Sequence, residues 1–350
     1  MRIAQIAPLT ESVPPKLYGG TERVVSFLTE ELVALGHDVT LFASGDSVTS
    51  AQLEPMHPCA LRFDRGLRDA SAPHMLMLEQ VARRADEFDV LHCHLDYWPF
   101  SLFTRIGVPF LTTLHGRLDL PELAPMYAAF DRVPLVSISD AQRAPLPDAN
   151  FVATIHHGLP EDLLTPCQVK PSYLAFLGRI APDKRPDRAI RIATATGVPL
   201  KLAAKVDPAD QEYYETSIRP LIDSPSIDLI GEIGDARKAH FLSGAKALLM
   251  PIDWPEPFGL VMIEAMACGT PVIAWNCGSV PEIIEQGVTG FIVESEAEAC
   301  AAVREIGRLS RAVIRERFEE RFTARRMADD YLVLYRRLAA RARPSLRLVT

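Results

Sequence analysis

The chain has 350 residues, of which 48% are hydrophobic and 23% charged, with a formal net charge of −8 and a mean hydropathy of +0.07. This composition is typical of a soluble globular protein, and the length exceeds what one hydrophobic core usually carries, so two domains are expected. The acidic balance argues against a general nucleic-acid-binding protein, and the lack of an apolar run of about 18 residues argues against a membrane span.

The N-terminus and the cysteines give two further expectations. The segment "MRIAQIAPLT" lacks the long apolar region and the small-residue cleavage site of an export signal, so we expect a cytoplasmic protein. No two cysteines form a C-x-x-C pair, which argues against a zinc site and a disulfide framework. We interpret all six as buried small apolar groups: Cys59, Cys93, Cys167, Cys268, Cys277 and Cys300.

Short apolar strands alternate with amphipathic helices along most of the chain, a pattern typical of parallel α/β proteins. The first half has six predicted strands: "RIAQIA", "DVTLFAS", "DVLHCH", "PFLTTLHG", "LVSIS" and "FVATIHHG". After the first of them comes the predicted helix "TERVVSFLTEELVALG". A fresh series then begins with six strands: "YLAFLG", "LKLAAK", "IDLIG", "ALLMP", "PVIAWN" and "GFIVES". Between these strands lie the predicted helices "RPDRAIRIATATG", "PADQEYYETSIRPLI", "DARKAHFLSGA", "FGLVMIEAMACG" and "VPEIIEQG".

This restart predicts two doubly wound, Rossmann-like domains, residues 1–160 and residues 161–325. A last helix, residues 326–342, precedes a tail, residues 343–350. The helix could cover its own domain or cross back to the first, and crossing back is the arrangement that we predict. Its apolar residues recur at helical spacing and form one stripe. The stripe consists of Met327, Tyr331, Leu334, Tyr335 and Leu338.

The C-terminal region is rich in arginine. From Arg304 to Arg347 there are thirteen arginines against six acidic residues, a local net charge of +7. A solvated helical face explains this excess. The alternative is attraction to an anionic membrane surface, which would make the protein peripheral at the inner face of a membrane.

The stretch "EPFGLVMIE" has a carboxylate on each side of a Pro-Phe-Gly turn that opens a predicted helix. The free N–H groups and the dipole of a helix N-terminus form a phosphate site, and Gly259 permits close approach of a ligand. Glu264 lies about 7.5 Å further along the helix axis, which suits a ribose diol, while Glu256 would face the group beyond the phosphates. The alternative is a solvated helix acid at Glu264 and a first-turn charge at Glu256.

Positive charge for a diphosphate comes from "LGRIAPDK". Arg179 and Lys184 follow the first strand of the second half, at the carboxyl end where α/β sheets bind ligands. Two exposed cations are the alternative.

In the first half, "YGGTER" places Gly19 and Gly20 between the first strand and the first helix. The segment is not the G-x-G-x-x-G fingerprint of nicotinamide-binding domains. Two glycines permit close approach to a phosphate or a sugar, and a tight turn with positive φ explains them equally well.

Three histidines fall at strand ends in the first half. His92 and His94 alternate on one strand and point the same way, as metal ligands can, but no third ligand is evident nearby, and polar packing is the favoured interpretation. His115 ends the next strand at the expected crevice, where it would face substrate or be a core histidine.

These motifs together resemble the retaining GT-B glycosyltransferases of family 4, which use nucleotide sugars. The matching stretches are "PEPFGLVMIEAMACGTPVIAWNCGSVPEIIEQGVTGFIV", with the family's E-x7-E region, then "LGRIAPDK", "YGGTERVV" and "ARRMADDYLVLYRRL". The resemblance covers nearly the whole chain and implies two Rossmann-like domains facing across a cleft. It departs from the family at Ser279, where many members have a glycine. This difference bears on the detailed contacts of that loop but not on the fold.

The resemblance implies that Arg179 and Lys184 hold the donor pyrophosphate, that Glu264 binds ribose hydroxyls and that Glu256 contacts the transferred sugar. The backbone of three residues would assist the phosphate contacts: Phe258, Gly259 and Leu260. The implied catalytic set is Glu256, His115, Arg179 and Lys184.

For the first half, the resemblance implies that His115 lies near the transferred sugar and the acceptor, with Gly19 and Gly20 closing the same cleft. It also implies retention by front-face attack without a metal or other cofactor, and no D-x-D acid pair is present.

The expected reaction moves a hexose from a nucleoside-diphosphate sugar to a hydroxyl of a lipid, a saccharide or a small molecule. UDP-glucose is the favoured donor and GDP-mannose the alternative. Two rival hypotheses are a nucleotide-sugar epimerase, which would need no acceptor, and a non-catalytic nucleotide-sugar-binding protein. The sequence leaves the oligomeric state open.

Overall fold

The computed structural model describes residues 1–16 and 19–342, and the chain divides into two compact units. The first unit consists of Met1–Gly158 together with the chain from Ala324 onwards, and the second of Leu159–Thr323. The predicted tail, residues 343–350, and Tyr18 of the glycine segment lie outside the described residues.

The first unit is built on a parallel sheet. Its strands are β1 (Arg2–Ile6), β2 (Asp38–Ser44), β3 (Gln52–His57), β4 (Val90–Cys93), β5 (Phe110–Thr113), β6 (Leu135–Ser137) and β7 (Phe151–Thr154). Its helices within the first 158 residues are α1 (Gly20–Ala34), α2 (Ser71–Arg83), α3 (Phe100–Ile106), α4 (Leu123–Ala129) and α5 (Asp140–Arg143). The strand order is β3-β2-β1-β4-β5-β6-β7. The central strands are apolar and buried, as expected where helices cover a parallel sheet.

The second unit repeats this plan. Its strands are β8 (Tyr173–Arg179), β9 (Leu200–Lys205), β10 (Ile227–Leu229), β11 (Ala245–Met250), β12 (Val272–Trp275) and β13 (Gly290–Val293). Its helices are α6 (Pro186–Thr196), α7 (Gln211–Tyr213), α8 (Asp235–Ser243), α9 (Leu260–Ala267), α10 (Val280–Ile283), α11 (Glu296–Glu305) and α12 (Arg311–Arg321). The strand order is β10-β9-β8-β11-β12-β13, and all recorded pairings are parallel.

Both sheets have a topological switch point, where the strand order reverses direction. In the first unit it lies between β1 and β4, and in the second between β8 and β11. Ligands of doubly wound sheets bind outside the carboxyl ends of the strands at such points. The prediction of two doubly wound α/β domains is confirmed.

The last helix, α13 (Ala324–Ala342), packs against α1 and β4 and so belongs to the first unit. The predicted apolar stripe faces this unit. Met327, Tyr331, Leu334 and Tyr335 are buried, and Leu338 is half-buried. The chain thus leaves the first unit after residue 158 and returns to it with its final helix.

Elements with weak or conflicting patterns differ most from the prediction. Strand β3 and helix α2 lie in a stretch for which no element was predicted, and β3 contains Pro55, which an edge strand tolerates. The helix predicted for "PADQEYYETSIRPLI" is a series of short helical turns, of which α7 is one. Pro220 cannot donate a backbone hydrogen bond and interrupts any longer helix there.

The cysteine interpretation is partly wrong. Cys93 and Cys268 are buried, whereas Cys59, Cys167, Cys277 and Cys300 are only partly buried. All six are free thiols.

Many arginines of the C-terminal region form ion pairs on helical surfaces. Arg325 pairs with Asp329 and Arg326 with Asp330, each one helical turn apart. Arg317 likewise pairs with Glu320. These contacts are those of a solvated helical face. In the part of the chain that the structure describes, none of the helices combines the length and apolar character that a membrane span needs.

Gly290 offers a test of the β12–β13 pairing. A Cβ added there would overlap the carbonyl oxygen of Val272, and it would lie 3.0 Å from the Val272 nitrogen. Because backbone atoms in a paired strand cannot move aside cheaply, we expect Gly290→Ala to lower the free energy of unfolding by about 3 kcal/mol or more.

Gly307→Ala is the matched control, since nothing lies within 4 Å of a Cβ at that position. Urea unfolding of both variants checks the expectation. Equal stability of the two variants would contradict the tight β12–β13 pairing.

Candidate active site

The loops that follow β8 and β11 meet at the switch point of the second unit. The backbone N–H of Asp253 donates to the carbonyl oxygen of Asp183 at 2.9 Å. Lys184, from the first loop, forms an ion pair with Glu256 from the second. Two segments separated by 72 residues are therefore tied together at the place where α/β sheets bind ligands.

Glu256 is held at one of its two carboxylate oxygens. Its Oε2 accepts the hydrogen bond from Lys184 and a second one, at 3.0 Å, from the indole N–H of Trp254. The Lys184 ammonium also lies 4.7 Å from the centroid of a Trp254 ring, within cation–π range. Glu256 Oε1 accepts no hydrogen bond from the described residues. The sequence analysis missed Trp254. Its only signal was its position, two residues before Glu256.

The Pro-Phe-Gly turn is fixed from both sides. Gly259 precedes α9 with φ +81°, a left-handed conformation that favours glycine. The Phe258 ring is buried against Phe322, with ring centroids 6.3 Å apart, so its side chain anchors the turn in the core. The turn therefore leads directly into the N-terminus of α9, where the first N–H groups have no acceptor within the helix.

Gly278 and Ser279 hold the other side of this turn. A Cβ at Gly278 would overlap the backbone of Glu256, so the two segments pack as closely as glycine allows. The Ser279 N–H donates to the Glu256 carbonyl oxygen at 3.0 Å, and its buried hydroxyl donates to the Phe258 carbonyl oxygen at 2.7 Å. The residue that departs from the family pattern thus fixes the turn.

Glu264 lies on α9 and is almost fully buried, with 3% of its surface exposed. The Lys238 ammonium donates to its Oε1 at 2.6 Å, and Lys238 also lies 3.4 Å from Asp235. Within the described part of the chain, Oε2 accepts no hydrogen bond. The alternative of a solvated helix acid is therefore wrong for Glu264. Lys238 was not predicted, because its helix α8 showed only an amphipathic pattern.

Arg179 ends β8 among three acidic residues. Its guanidinium lies 3.2 Å from Asp210 Oδ2 and 3.7 Å from a carboxylate oxygen of each of the other two, Asp183 and Asp207. Arg179 and Lys184 are both part-buried, so the alternative of two exposed cations is wrong. Each predicted clamp residue is instead paired with carboxylates.

Gly19 and Gly20 lie at the start of α1 in the first unit. Gly19 has φ 164°, which is extended backbone, and Gly20 is not among the residues with positive φ, so the tight-turn explanation is wrong. A Cβ on Gly19 would lie 2.8 Å from Pro15 Cβ, which gives this glycine a packing role. Nothing lies within 4 Å of a Cβ on Gly20, and the position is exposed.

The three predicted histidines lie together in the first unit. The rings of His92 and His94 are 4.1 Å apart, and His94 Nδ1 lies 2.9 Å from His115 Nε2. His115 also stacks on His157 at 5.3 Å. His115 Nδ1 is buried without a hydrogen-bond partner in the described part of the chain.

Burial controls the charge of this group. Loss of solvation lowers the pKa of His115 to about 3, because the charged imidazolium is disfavoured in the interior. The same cause lowers the pKa of His92, His94 and His157 well below the usual range. All four are therefore neutral at pH 7. Among the described residues no group of three or more His, Cys, Asp and Glu could hold a metal ion.

The two Rossmann-like units have the fold of the GT-B class, and solved structures share it. Sucrose-phosphate synthase of Thermosynechococcus elongatus has a TM-score of 0.77 at 22% identity, over 97% of this chain and 99% of that one. HepE of Anabaena, in complex with UDP and glucose, has a TM-score of 0.74 at 16% identity, over 95% of this chain and 99% of that one. At these identities the likeness concerns the fold.

The sequence comparisons identify the family. The model "Glycosyltransferase Family 4" matches residues 18–141, and "Glycosyl transferases group 1" matches residues 166–322. Alpha-maltose-1-phosphate synthase of Mycolicibacterium smegmatis is 26% identical over 402 aligned positions, covering 96% of this chain and 100% of that protein. The chain belongs to glycosyltransferase family 4 and is an enzyme of that class.

The buried histidines predict a pH dependence of stability. Their folded pKa values lie below the unfolded value of about 6.5, so the unfolded state binds more protons as pH falls and stability is lost below that pH. Each histidine contributes about 1.4 kcal/mol per pH unit to the slope. We expect the free energy of unfolding in urea to fall between pH 6 and pH 5, where few carboxylates titrate.

His115→Gln removes one titrating ring and is the comparison variant. Its slope over the same interval is expected to be smaller by about 1.4 kcal/mol per pH unit. Identical slopes for the variant and the wild type would show that His115 is not neutral in the folded protein.

Proposed function

We propose that the protein is a retaining hexosyltransferase that uses a nucleoside-diphosphate sugar and a hydroxyl acceptor. One observation carries the proposal. Glu256 and Glu264 lie on either side of the turn that opens α9, and a lysine holds each acid at one oxygen. The second oxygen of each carboxylate accepts no hydrogen bond from the described residues, so each acid is oriented and keeps an acceptor for a sugar hydroxyl.

The diphosphate is assigned to the N-terminus of α9 and to the two cations beside it. Backbone N–H groups of the 258–260 turn and the helix dipole favour an anion there. Arg179, at the end of β8, and Lys184, in the loop after it, bring positive charge. In the structure these cations form ion pairs with carboxylates, so the diphosphate would replace Asp or Glu oxygens as their partner. Phosphate exchanges well for carboxylate because both accept charge-assisted hydrogen bonds.

The two acids are assigned to the two sugars of the donor. Glu264, on α9, would accept from the ribose hydroxyls through Oε2. Glu256, before the turn, would accept from a hydroxyl of the transferred hexose through Oε1. The lysine on each carboxylate offsets the cost of keeping a charge in a part-buried site.

The proposed reaction needs no metal and no covalent enzyme intermediate. The bond between the anomeric carbon and the diphosphate oxygen breaks, and the acceptor oxygen bonds to the same face of that carbon. The acceptor proton passes to the leaving phosphate oxygen, giving a nucleoside diphosphate and a glycoside with retained configuration. Arg179 and Lys184 stabilise the negative charge that develops on the leaving group.

The first unit is assigned the remaining contacts with substrate. His115 would bond to a hydroxyl of the transferred sugar or of the acceptor. Gly20, which has open space beside it, would allow a ligand to approach the start of α1 closely, and Gly19 would keep that backbone packed on Pro15.

UDP-glucose is the first donor to test. The HepE structure contains UDP and glucose, which supports a uridine nucleotide. The alternative is GDP-mannose, since a phosphatidyl-myo-inositol mannosyltransferase of Mycobacterium leprae is 25% identical over 91% of this chain and 90% of that protein. The acceptor is proposed only as a hydroxyl of a lipid, a saccharide or a small molecule.

A thermal-shift screen of UDP, GDP and ADP sugars tests donor binding. A ligand that binds only the folded protein raises its melting temperature, and the shift grows with the ratio of the ligand concentration to Kd. We expect one nucleotide class to do so and its effect to be strongly reduced in Arg179→Ala and Lys184→Ala. Loss of a charge-assisted phosphate contact should weaken binding about 10- to 100-fold.

Lys246→Ala is the control, because Lys246 is an exposed cation on β11. It should bind the donor like the wild type. Unchanged binding in both clamp variants would remove the proposed phosphate site.

A second experiment tests Glu256. Glu256→Gln keeps the size of the side chain and its hydrogen bond from Trp254 but removes the negative charge. We expect a folded protein whose release of nucleoside diphosphate from the donor, in the presence of an acceptor mixture, falls about 100-fold. Glu212→Gln, at an exposed acid, is the matched control. Full activity in Glu256→Gln would exclude a role for this acid in transfer.

A further inference from the structure

A chain of buried polar side chains joins helix α13 to His115 within the first unit. Gln5 on β1 lies at its centre. The Gln5 amide nitrogen donates to the Tyr335 hydroxyl at 3.1 Å, and the Gln5 amide oxygen lies 2.9 Å from His94 Nε2. His94 Nδ1 then meets His115 Nε2. Gln5 and Tyr335 are completely buried, so neither can exchange its partners for water.

The placement of the Gln5 amide fixes the direction of every bond toward His115. An amide oxygen only accepts, so His94 carries its proton on Nε2 and donates it to Gln5. A neutral imidazole has one N–H, which leaves His94 Nδ1 as an acceptor. The bond to His115 therefore runs from His115 Nε2–H to His94 Nδ1. His115 Nδ1 is left with a lone pair and no proton.

The other arm of the chain is consistent with this direction. The Tyr335 hydroxyl accepts from Gln5 and so gives its own proton to His92 Nδ1, 2.6 Å away. His92 then holds its proton on Nε2 and donates to Thr113 Oγ1 at 2.7 Å. Each side-chain nitrogen and oxygen of the chain other than His115 Nδ1 has a hydrogen-bond partner. The unsatisfied atom is the acceptor nitrogen Nδ1 of His115.

An unpartnered buried nitrogen in a native protein needs an explanation, and a ligand group is one. His115 as a whole residue is partly exposed, although its Nδ1 is buried, whereas Gln5, His94 and Tyr335 are buried. Gln5, His94 and Tyr335 each have a hydrogen-bond partner within the chain at every side-chain nitrogen and oxygen. The polar group that is incomplete is thus the one nearest to the surface.

We propose that Gln5, His94 and Tyr335 are positioning residues that fix His115 in its Nε2–H tautomer, so that Nδ1 accepts a hydrogen bond from a substrate hydroxyl. The assignment rests on the proposed function for the hydroxyl, whereas the tautomer is a property of the ligand-free chain. It gives α13 a role in the site beyond packing, because the Tyr335 hydroxyl supports the Gln5 amide.

Nuclear magnetic resonance of the full chain labelled with 15N-histidine tests the tautomer. Two-bond 1H–15N correlations distinguish a protonated ring nitrogen from an unprotonated one, and the His115→Gln spectrum assigns the signals. We expect His115 to be protonated at Nε2 alone at pH 7. A proton on Nδ1, or a mixture of both tautomers, would overturn the proposal without any reference to donor binding.

Two variants on α13 separate positioning from packing. Tyr335→Phe removes the hydroxyl that supports Gln5, so the amide is free to turn and His115 should lose its single tautomer. Tyr331→Phe, one helical turn earlier, removes a buried hydroxyl that bonds to Thr113 at 2.8 Å and not to Gln5. It should leave the His115 signals unchanged. Loss of the single tautomer in both variants, or in neither, contradicts a chain that runs through Gln5.

Ligand addition tests the hydroxyl. UDP-glucose and GDP-mannose are each compared with their free nucleoside diphosphate. We expect one sugar nucleotide to shift the Nδ1 resonance of His115 and its diphosphate alone to leave it in place. A resonance that moves with neither sugar, or equally with the diphosphate, overturns the hydroxyl contact. Absence of any thermal shift with all four ligands would instead count against the proposed donor site.

Discussion

The ion pair between Lys184 and Glu256 is the contact on which the second unit's candidate site depends. It closes the gap between the loops that follow two neighbouring parallel strands, β8 and β11. Both side chains are partly buried, so each charge stabilises the other, because removing one partner of such a pair leaves an uncompensated charge in a poorly solvated place. Gly278 packs directly against the Glu256 backbone and so limits its movement away from Lys184.

Charge compensation extends through the rest of that site. Lys238 neutralises Glu264, and three aspartates surround Arg179. The site is thus a set of ion pairs and not a pocket of positive charge. A diphosphate would gain only the difference between its own contacts and those that it replaces, so recognition would depend on the geometry of the cations and of the α9 N-terminus more than on net attraction.

The sequence predicts the fold well because each strand and helix of a doubly wound sheet has a recognisable local pattern of apolar residues. Buried parallel strands are short apolar runs, and the loops that follow them lie at the edge of the sheet where ligands bind. This placed Arg179 and Lys184 correctly at the carboxyl end of the second unit's first strand, and Glu256 correctly in the loop before α9. Two partners in the site could not be predicted. Lys238 reaches Glu264 through the packing of α8 on α9, and Trp254 was marked only by its place two residues before Glu256. Edge strand β3 was missed because none of its residues is fully buried, so it lacks an apolar run, and because it contains Pro55.

The first unit solves a different problem, which is how to keep polar groups in a core without charge. Histidines are costly to bury when protonated, and their lowered pKa values remove that cost at neutral pH. A neutral imidazole, unlike a lysine, both donates and accepts. The hydrogen bonds along a line of histidines joined by Gln5 therefore all run in one direction. An apolar core of equal volume would pack as well but would not orient the nitrogen at its end. The return of α13 to this unit supplies the Tyr335 hydroxyl that completes the line, which links the path of the chain to the chemistry available at His115.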